Sequence, residues 1–502
     1  MLTSLNATAA SVSSGDYANA SPSTCRGGGR YFSTSVSESG KKMVREEFGR
    51  LPLVPTGGDL LPAGTELNVV VDTGCLLGAK QTDIQLDWLK KIASKPNRIP
   101  KGKGVFRSYS WKIDRDWDFA SLQRAFDSES CVDLVSPERR YFLFSGPFTW
   151  NDPLAPDQTH LPAIRYTEAI PEFLIPILLR PKVVIAVADT GVDLTHPDLM
   201  QNRWINPHEI PDNGIDDDNN GFIDDVTGFN FASDSGASGP EGDWPDNRHA
   251  THVAGLAAGR IDNAIGGVGI DGVAKIMSLN VFGKNNFTRS STLENAIRYA
   301  ADQRADIINL SLGGREYSRT MRSALTYAVR SGSLIVTAAG NDGVELCDDP
   351  TSLDFISPAV YGASLDGMIV TGSVDASTGT FSTFSNRSSR LVEISAPGAF
   401  TSTGQLVGLL STLPKNSYGY LAGTSMAAPV MSGAAALLVS WMKVYRYPYN
   451  PQKLEFILKE SARRVAGLNV SVAEGRTLDL VELAKYLKTY YPPRVNTSRD
   501  QR

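Results

Sequence analysis

Cysteine is scarce in this chain and gives no pattern. Cys25, Cys75, Cys131 and Cys347 lie far apart, with no CxxC spacing, which excludes a disulfide framework and a cysteine zinc cluster. A basic surplus is also missing. The formal net charge is −5, so neither a nucleic-acid binder nor a basic membrane-surface protein is indicated. No uninterrupted apolar run approaches the roughly 18 residues of a membrane span. The N-terminus lacks a basic stretch followed by an apolar core, so no signal peptide is recognisable. Instead, "MLTSLNATAASVSSGDYANASPSTC" is rich in Ser, Ala and Thr, a composition expected of disorder. Residues 1–65 read as low-complexity sequence running into a Gly/Pro linker.

What is present divides the rest of the chain. Residues 66–144 hold strand-like "LNVVV" and "SCVDLVS" and helix-like "DIQLDWLKKIA" and "DFASLQRAF", enough for a small α+β unit. From about Lys182, near-continuous apolar runs end in turns: "KVVIAVADTG", "KIMSLNVF", "ADIINLSL", "SLIVTAAG" and "MIVTGSVD". Runs of this kind suit buried parallel strands. Helical segments alternate with them. "STLENAIRYAADQ" has a capping-box pattern, Ser291 to Glu294, with Leu293, Ala296, Ile297 and Ala300 on one stripe. "SRTMRSALTYAVRSG" repeats the stripe with Met321, Ala324, Leu325 and Ala328 and stops at Gly332. The alternation predicts a mostly parallel sheet covered on both faces over residues 145–490, with "PQKLEFILKESARRV" and "GRTLDLVELAKYL" as closing helices and 491–502 as a tail.

Polar residues with chemical potential stand where the apolar runs stop. Asp189 follows one strand, and Asn341 follows another. His249 opens a helix in "DNRHATHVAG". Ser425 stands at a turn feeding an apolar helix that carries Pro429 early in its length. Separately, these residues read as turn caps and helix starts. Together they supply what acyl transfer needs. The imidazole takes the hydroxyl proton, the carboxylate fixes the imidazole, and an amide and the Ser425 N–H at a helix start stabilise an oxyanion.

"DTGVD", "HATHVAG", "AAGN" and "GTSMAAP" occur in that order, and they resemble the signatures of the subtilisin family of serine proteases. The resemblance runs from about Asn151 to Leu487. It implies a three-layer subtilisin-like α/β fold and serine-type endopeptidase activity, with Asp189 orienting His249, His249 as base then acid, Ser425 as nucleophile and Asn341 as oxyanion donor. It also implies substrate binding by Ser311, Leu312, Gly313, Gly314, Ala339 and Gly340, a polypeptide substrate, and a secreted or extracytoplasmic monomer with no organic cofactor. One position departs from the pattern. Ala250 stands where glycine is usual, and its methyl is expected to crowd His249 or the substrate. His252, one turn along, is expected to be a packed helix residue.

Between Asp189 and His249 lies "NGIDDDNNGFIDDVTG". Asp216, Asp218, Asn220, the Phe222 carbonyl and Asp224 alternate, with Gly221 at the sixth place, a spacing of hard oxygen donors that suits calcium. Thr227 replaces the glutamate that ends an EF-hand loop. By resemblance alone, Asp198 and Asn263 imply a second calcium site. "RRYFLFSGPFTWNDPL" resembles the junction that precedes many subtilase domains, so residues 66–144 are expected to be a propeptide that chaperones and inhibits, cut from the zymogen somewhere around 140–150. Asp342, Glu345, Asp348 and Asp349 in "NDGVELCDDP" are expected to favour basic substrate side chains. Competing readings are a degenerate subtilase that binds polypeptide without cutting, and a metal hydrolase using the HxxH pair. The second lacks the glutamate and further ligand of metalloprotease motifs. The order Asp, His, Ser disfavours an α/β-hydrolase.

Overall fold

The computed structural model describes residues 151–173, 182–241, 245–315 and 317–493, together with the backbone of short strands between Ser11 and Pro137. Residues Ser21–Ser145 form one compact unit; Met1–Ala20 and Gly146–Arg502 form the other. In the first unit, the expected strands are Glu66–Asp72 and Val132–Pro137; Glu66–Asp72 is central and pairs antiparallel with Val132–Pro137 on one side and with a third strand, Phe106–Lys112, on the other. The two expected helices lie outside the described residues. The stretch read as low-complexity contains backbone pairing of Tyr31–Val36 with Lys42–Glu47, which the Ser-rich composition did not announce.

The second unit is built on a nine-stranded sheet. Its main strands are β1 (Val184–Asp189), β2 (Gly228–Asn230), β3 (Lys275–Asn280), β4 (Ile307–Leu310), β5 (Leu334–Ala338), β6 (Met368–Asp375) and β7 (Ile394–Ala399). These seven are parallel, in the order β2-β3-β1-β4-β5-β6-β7. Both faces are apolar because successive residues point to opposite sides. Ile185 and Val187 join one core cluster; Ala186 and Ala188 join the other. This explains why the sequence shows unbroken apolar runs rather than alternation.

One core lies under helices α2 (His249–Ala258) and α5 (Thr424–Val444), the other under α3 (Ser290–Asp302) and α4 (Arg319–Ser331). α1 (Tyr166–Phe173), α6 (Pro451–Ser461) and α7 (Leu480–Tyr490) add to the first core, and a hairpin of β8 (Leu409–Leu413) and β9 (Ser417–Leu421) lies beside α2. α4 follows expectation: Ser318 accepts from the Met321 N–H as N-cap, the predicted stripe is buried, and Gly332 ends the helix at φ +107°. α3 does not use its capping box. It begins at Ser290, and Glu294 instead accepts hydrogen bonds from the hydroxyls of Ser318 and Thr320, joining α3 to the start of α4. Among the described residues, one helix, α5, is long and apolar enough to cross a membrane. Its apolar stretch is wholly buried, because α5 runs through the centre of the unit.

Candidate active site

Strand register brings the pieces together. β1 and β4 are neighbours, with Val187 opposite Asn309. Two residues further on, Asp189 closes β1 beside Ser311 just past β4. The sheet order reverses at β1, which has β3 on one side and β4 on the other, and crevices form at such points beyond the carboxyl ends of strands. Asp189 is 1% exposed and meets Nδ1 of His249 with both carboxylate oxygens, each at 2.9 Å. Asp189 Oδ1 also accepts from the Thr190 N–H at 2.7 Å. The Thr190 hydroxyl accepts from the Ala250 N–H and donates to the Asn247 carbonyl, so it holds the start of α2 against the end of β1.

Ser425 lies in the first turn of α5, and its Oγ donates to the Ser311 carbonyl at 3.1 Å. Pro429 sits well inside the helix rather than at its first position, so its missing N–H leaves the Ser425 carbonyl without its helical donor. The Ser311 hydroxyl takes that place at 2.9 Å. Behind it, Asn309 Nδ2 donates to Ser311 Oγ, and the Ser432 hydroxyl donates to Asn309 Oδ1. This buried polar chain fixes the serine's helix to β4.

Asn341 directs its carbonyl oxygen at Thr424, accepting from both its N–H and its hydroxyl at 2.9 Å, which turns the amide nitrogen the other way. At Gly423, where φ is +155°, a Cβ would lie 3.2 Å from Asn341 Nδ2 and 3.6 Å from the Ser425 N. The absent side chain therefore leaves a small space that two N–H donors flank. Thr424 also accepts from the Gly340 N–H at 3.1 Å. Asn386 holds the same loop: it accepts from the N–H groups of Asp342 and Val344 and donates to the Ala339 carbonyl. Thr424 was legible in its motif. Asn386 carries no local signal, because it arrives from beyond β6.

The expected substrate segment is divided by its own hydrogen bonds. Gly314 exchanges both backbone bonds with Ser357, at 2.8 and 2.7 Å, so it anchors the edge and does not offer it. The Ser311 carbonyl, by contrast, accepts from Ser425 Oγ. Leu312 packs in the core. Ala339 and Gly340 bond to Thr371, Asn386 and Thr424, forming a wall rather than an edge.

Two expectations need correction. The Ala250 methyl is fully buried in the apolar core under α2, so it does not crowd the cleft. The acids after Asn341 already have partners: Asp342 with Arg315 at 3.0 Å, Glu345 with Arg387 at 3.7 Å, and Asp348 with Arg390 at 2.8 Å. Asp349 accepts from the Thr351 N–H and hydroxyl. Three of the four charges that were to select basic side chains are therefore paired within the chain. His252 is a packed residue as expected. Its Nε2 donates to the carbonyls of Leu409 and Gly419 on the hairpin, and burial pushes its pKa down to about 3.

In the aspartate-rich loop, Asp216 and Asp218 converge with Glu209, their carboxylate oxygens lying within 4.8 Å of one another. Glu209 precedes the loop and was missed in the sequence because it lies outside the alternating pattern. It is 8% exposed, its Oε2 has no hydrogen-bond partner, and burial raises its pKa. An unpaired buried carboxylate oxygen beside two more carboxylates fits a bound cation. The other members of the alternating set make bonds within the loop, and the ring of Phe222, whose carbonyl was the expected donor, packs inward. Asp224 accepts from the N–H groups of Asn213 and Gly214, Asn220 bonds to Phe222 N and Asp225, and the Phe222 ring packs on Phe229 and Tyr299. At the second position, Asn263 Nδ2 donates to Asp198 at 2.8 Å, and Asp152 accepts from the N–H groups of Asp262 and Asn263. Burial raises Asp198 to about 8 and Asp152 to about 6.

A carboxylate-bound imidazole, a helix-start serine and two N–H donors thus stand together beyond the carboxyl ends of parallel strands. The subtilase family model matches residues 180–476, and the chain belongs to that family of serine proteases. It is 30% identical to a thermophilic serine proteinase of Bacillus sp. (strain AK1), over 71% of this chain and 74% of that protein. It is also 30% identical to subtilisin-like protease 1 of Plasmodium berghei, over 60% of this chain but 49% of that protein, so it spans about half of that relative's length. Among solved structures, a protease of Pseudoalteromonas arctica matches 67% of this chain and 99% of its own, with a TM-score of 0.50 and 26% identity.

Proposed function

We propose that this chain is a serine endopeptidase that cuts polypeptides through an acyl-enzyme intermediate, with Asp189, His249 and Ser425 as triad and Asn341 as oxyanion donor. The observation that carries it is the two-oxygen grip of Asp189 on His249 Nδ1. That grip keeps the proton on Nδ1 and reserves Nε2 as the base for a hydroxyl. The Ser425 hydroxyl rests on the Ser311 carbonyl. A substrate strand pairing with Ser311 and Gly313 brings its own N–H to that carbonyl, which frees the serine proton for His249. Oxygen attack on the substrate carbonyl then places the oxyanion between Asn341 Nδ2 and the Ser425 N–H. His249 returns the proton to the leaving amine, and water repeats the sequence to release the acid. A fluorophosphonate probe tests this directly. The full chain is expected to label at Ser425, and Ser425→Ala and His249→Ala are expected not to; an unlabelled wild-type chain would sink it. No observation favours the non-cleaving alternative.

Two further features follow from this function. The unit boundary at Ser145/Gly146 falls inside the expected cleavage region, which supports self-cutting between residues 140 and 150 by Ser425 and residues 66–144 as propeptide and inhibitor. An intact N-terminus on purified active protein would refute it. Glu209, Asp216 and Asp218 would hold a calcium ion, and Asp152, Asp198 and Asn263 a second. Such ions would supply structural charge compensation and take no part in the bond-breaking steps.

A further inference from the structure

The gap beside the nucleophile has a floor, two walls and a closed outer end. One wall is Gly313–Gly314 beyond β4, and the other is Ala339–Gly340 beyond β5. Neither glycine has a side chain to narrow the gap, yet a Cβ on Gly313 would lie 3.1 Å from Cγ2 of Ile356, and one on Gly340 would lie 3.5 Å from the same atom. The methyl of Ile356 thus stands between the two walls, against Gly313 and, beside the closer Asn386 amide, near Gly340. Ile356 is 5% exposed and part of the core with Leu312 and Ala339, and its neighbour Ser357 is tied to Gly314 by two backbone bonds. The floor therefore has little room to move. Across the outer end, Arg315 follows one wall and Asp342 the other, and they pair at 3.0 Å.

The proposed oxyanion seat lies at Asn341 and the proposed strand edge at Ser311. With its carbonyl at that seat and its backbone at that edge, the side chain of the attacked residue would enter the gap between the two segments. We propose that Ile356 makes this pocket shallow, so that the enzyme selects small uncharged side chains such as alanine before the scissile bond and excludes aromatic ones. The proposal rests on the protease reading above and adds the substrate class. A flat ring needs depth between the walls, and the isoleucine methyl stands there. Displacing it would disturb packed core, which is costly. The Arg315–Asp342 pair adds no preference for either sign of charge, since each partner already neutralises the other. Differences of a single methylene in such pockets change kcat/KM by about 10–200-fold.

The test uses the full chain and peptides that differ only in that residue: Ala, Phe, Arg and Glu. Wild type is expected to favour Ala over Phe, Arg and Glu by tenfold or more in kcat/KM. Ile356→Gly is expected to move the Phe/Ala ratio toward Phe by at least tenfold, and Ile356→Val by less in the same direction. The ratio is taken within each preparation, so partial misfolding of a variant does not alter it. Equal cleavage of Phe and Ala by wild type, preference for Arg, or an unchanged ratio in Ile356→Gly overturns the selectivity while leaving the protease function standing. A chain that cuts none of the peptides and takes no fluorophosphonate overturns both.

Discussion

Two buried histidines make the fold acid-sensitive by an amount that the structure allows to be worked out. His160 and His252 are both 0% exposed, and burial pushes each from the ordinary 6.5 down to about 3. Neither ring nitrogen of His160 bonds to a protein group, and Nδ1 of His252 is likewise unpaired. Both imidazoles are therefore neutral in the folded chain, whereas the unfolded chain protonates them near 6.5. The unfolded state binds more protons as pH falls, so stability is fully present above 6.5 and is lost as pH falls toward 3. By linkage, each histidine removes about 2 kcal/mol between pH 7 and pH 5, and the pair about 4. Replacing them with non-titrating groups should abolish that share. His160→Phe removes two unpaired nitrogens, and His252→Gln keeps a donor for the Leu409 carbonyl. In a Ser425→Ala background, which prevents self-digestion, urea unfolding at pH 7 and pH 5 measures the difference. The parent should lose about 4 kcal/mol more than the double variant over that interval. Equal losses in the two proteins would show that these histidines are not neutral and dry in the fold, and the reasoning would fail.

Other substitutions probe separate parts of the molecule. Calcium should raise the melting temperature of the full chain and chelation should lower it; Glu209→Gln should reduce that response, and an unchanged response would remove Glu209 from the ion's ligands. Ala250→Gly should destabilise by about 1 kcal/mol, through helix propensity and a lost core methyl, without faster turnover; a rate gain would return the methyl to the cleft. Glu393 is buried beside Glu455 and salt-bridged to Lys459, and burial raises it to about 8. Its folded pKa lies above the unfolded value, so its contribution is complete below about 4.5 and fades as pH rises through 8. Glu393→Gln should flatten the alkaline loss of stability between pH 7 and pH 9, and melting curves at those two values would check it.

Much was legible in the sequence because it depends on local chemistry. Unbroken apolar runs required strands buried on both faces, and β1, β3, β4, β5 and β6 lie where those runs stand. The stripes of α3 and α4 located their buried faces. Four motifs, two at strand ends and two at helix starts, named the residues that gather at one edge of the sheet. Other features depended on partners distant in the chain. Glu294 caps no helix of its own because Ser318 and Thr320 reach its carboxylate first. The missing N–H of Pro429 matters because Ser311, from another strand, stands ready to bond the freed carbonyl. Glu209 enters the acidic cluster from outside the loop whose spacing announced it.

By itself the sequence determined the parallel sheet and the order of its motifs, since these follow from periodicity and residue type, and its motifs named the residues proposed to react. Only the tertiary structure decided which backbone groups are taken, since Gly314 is held by Ser357 while the Ser311 carbonyl accepts from the serine hydroxyl. It alone decided that Ala250 points into the core and that Asp342, Glu345 and Asp348 pair with Arg315, Arg387 and Arg390. It also set the depth of the pocket, because Ile356 reaches Gly313 and Gly340 across more than fifteen residues of chain. Residue type fixes what a side chain is able to do; direction and distance, which only packing supplies, fix what it does.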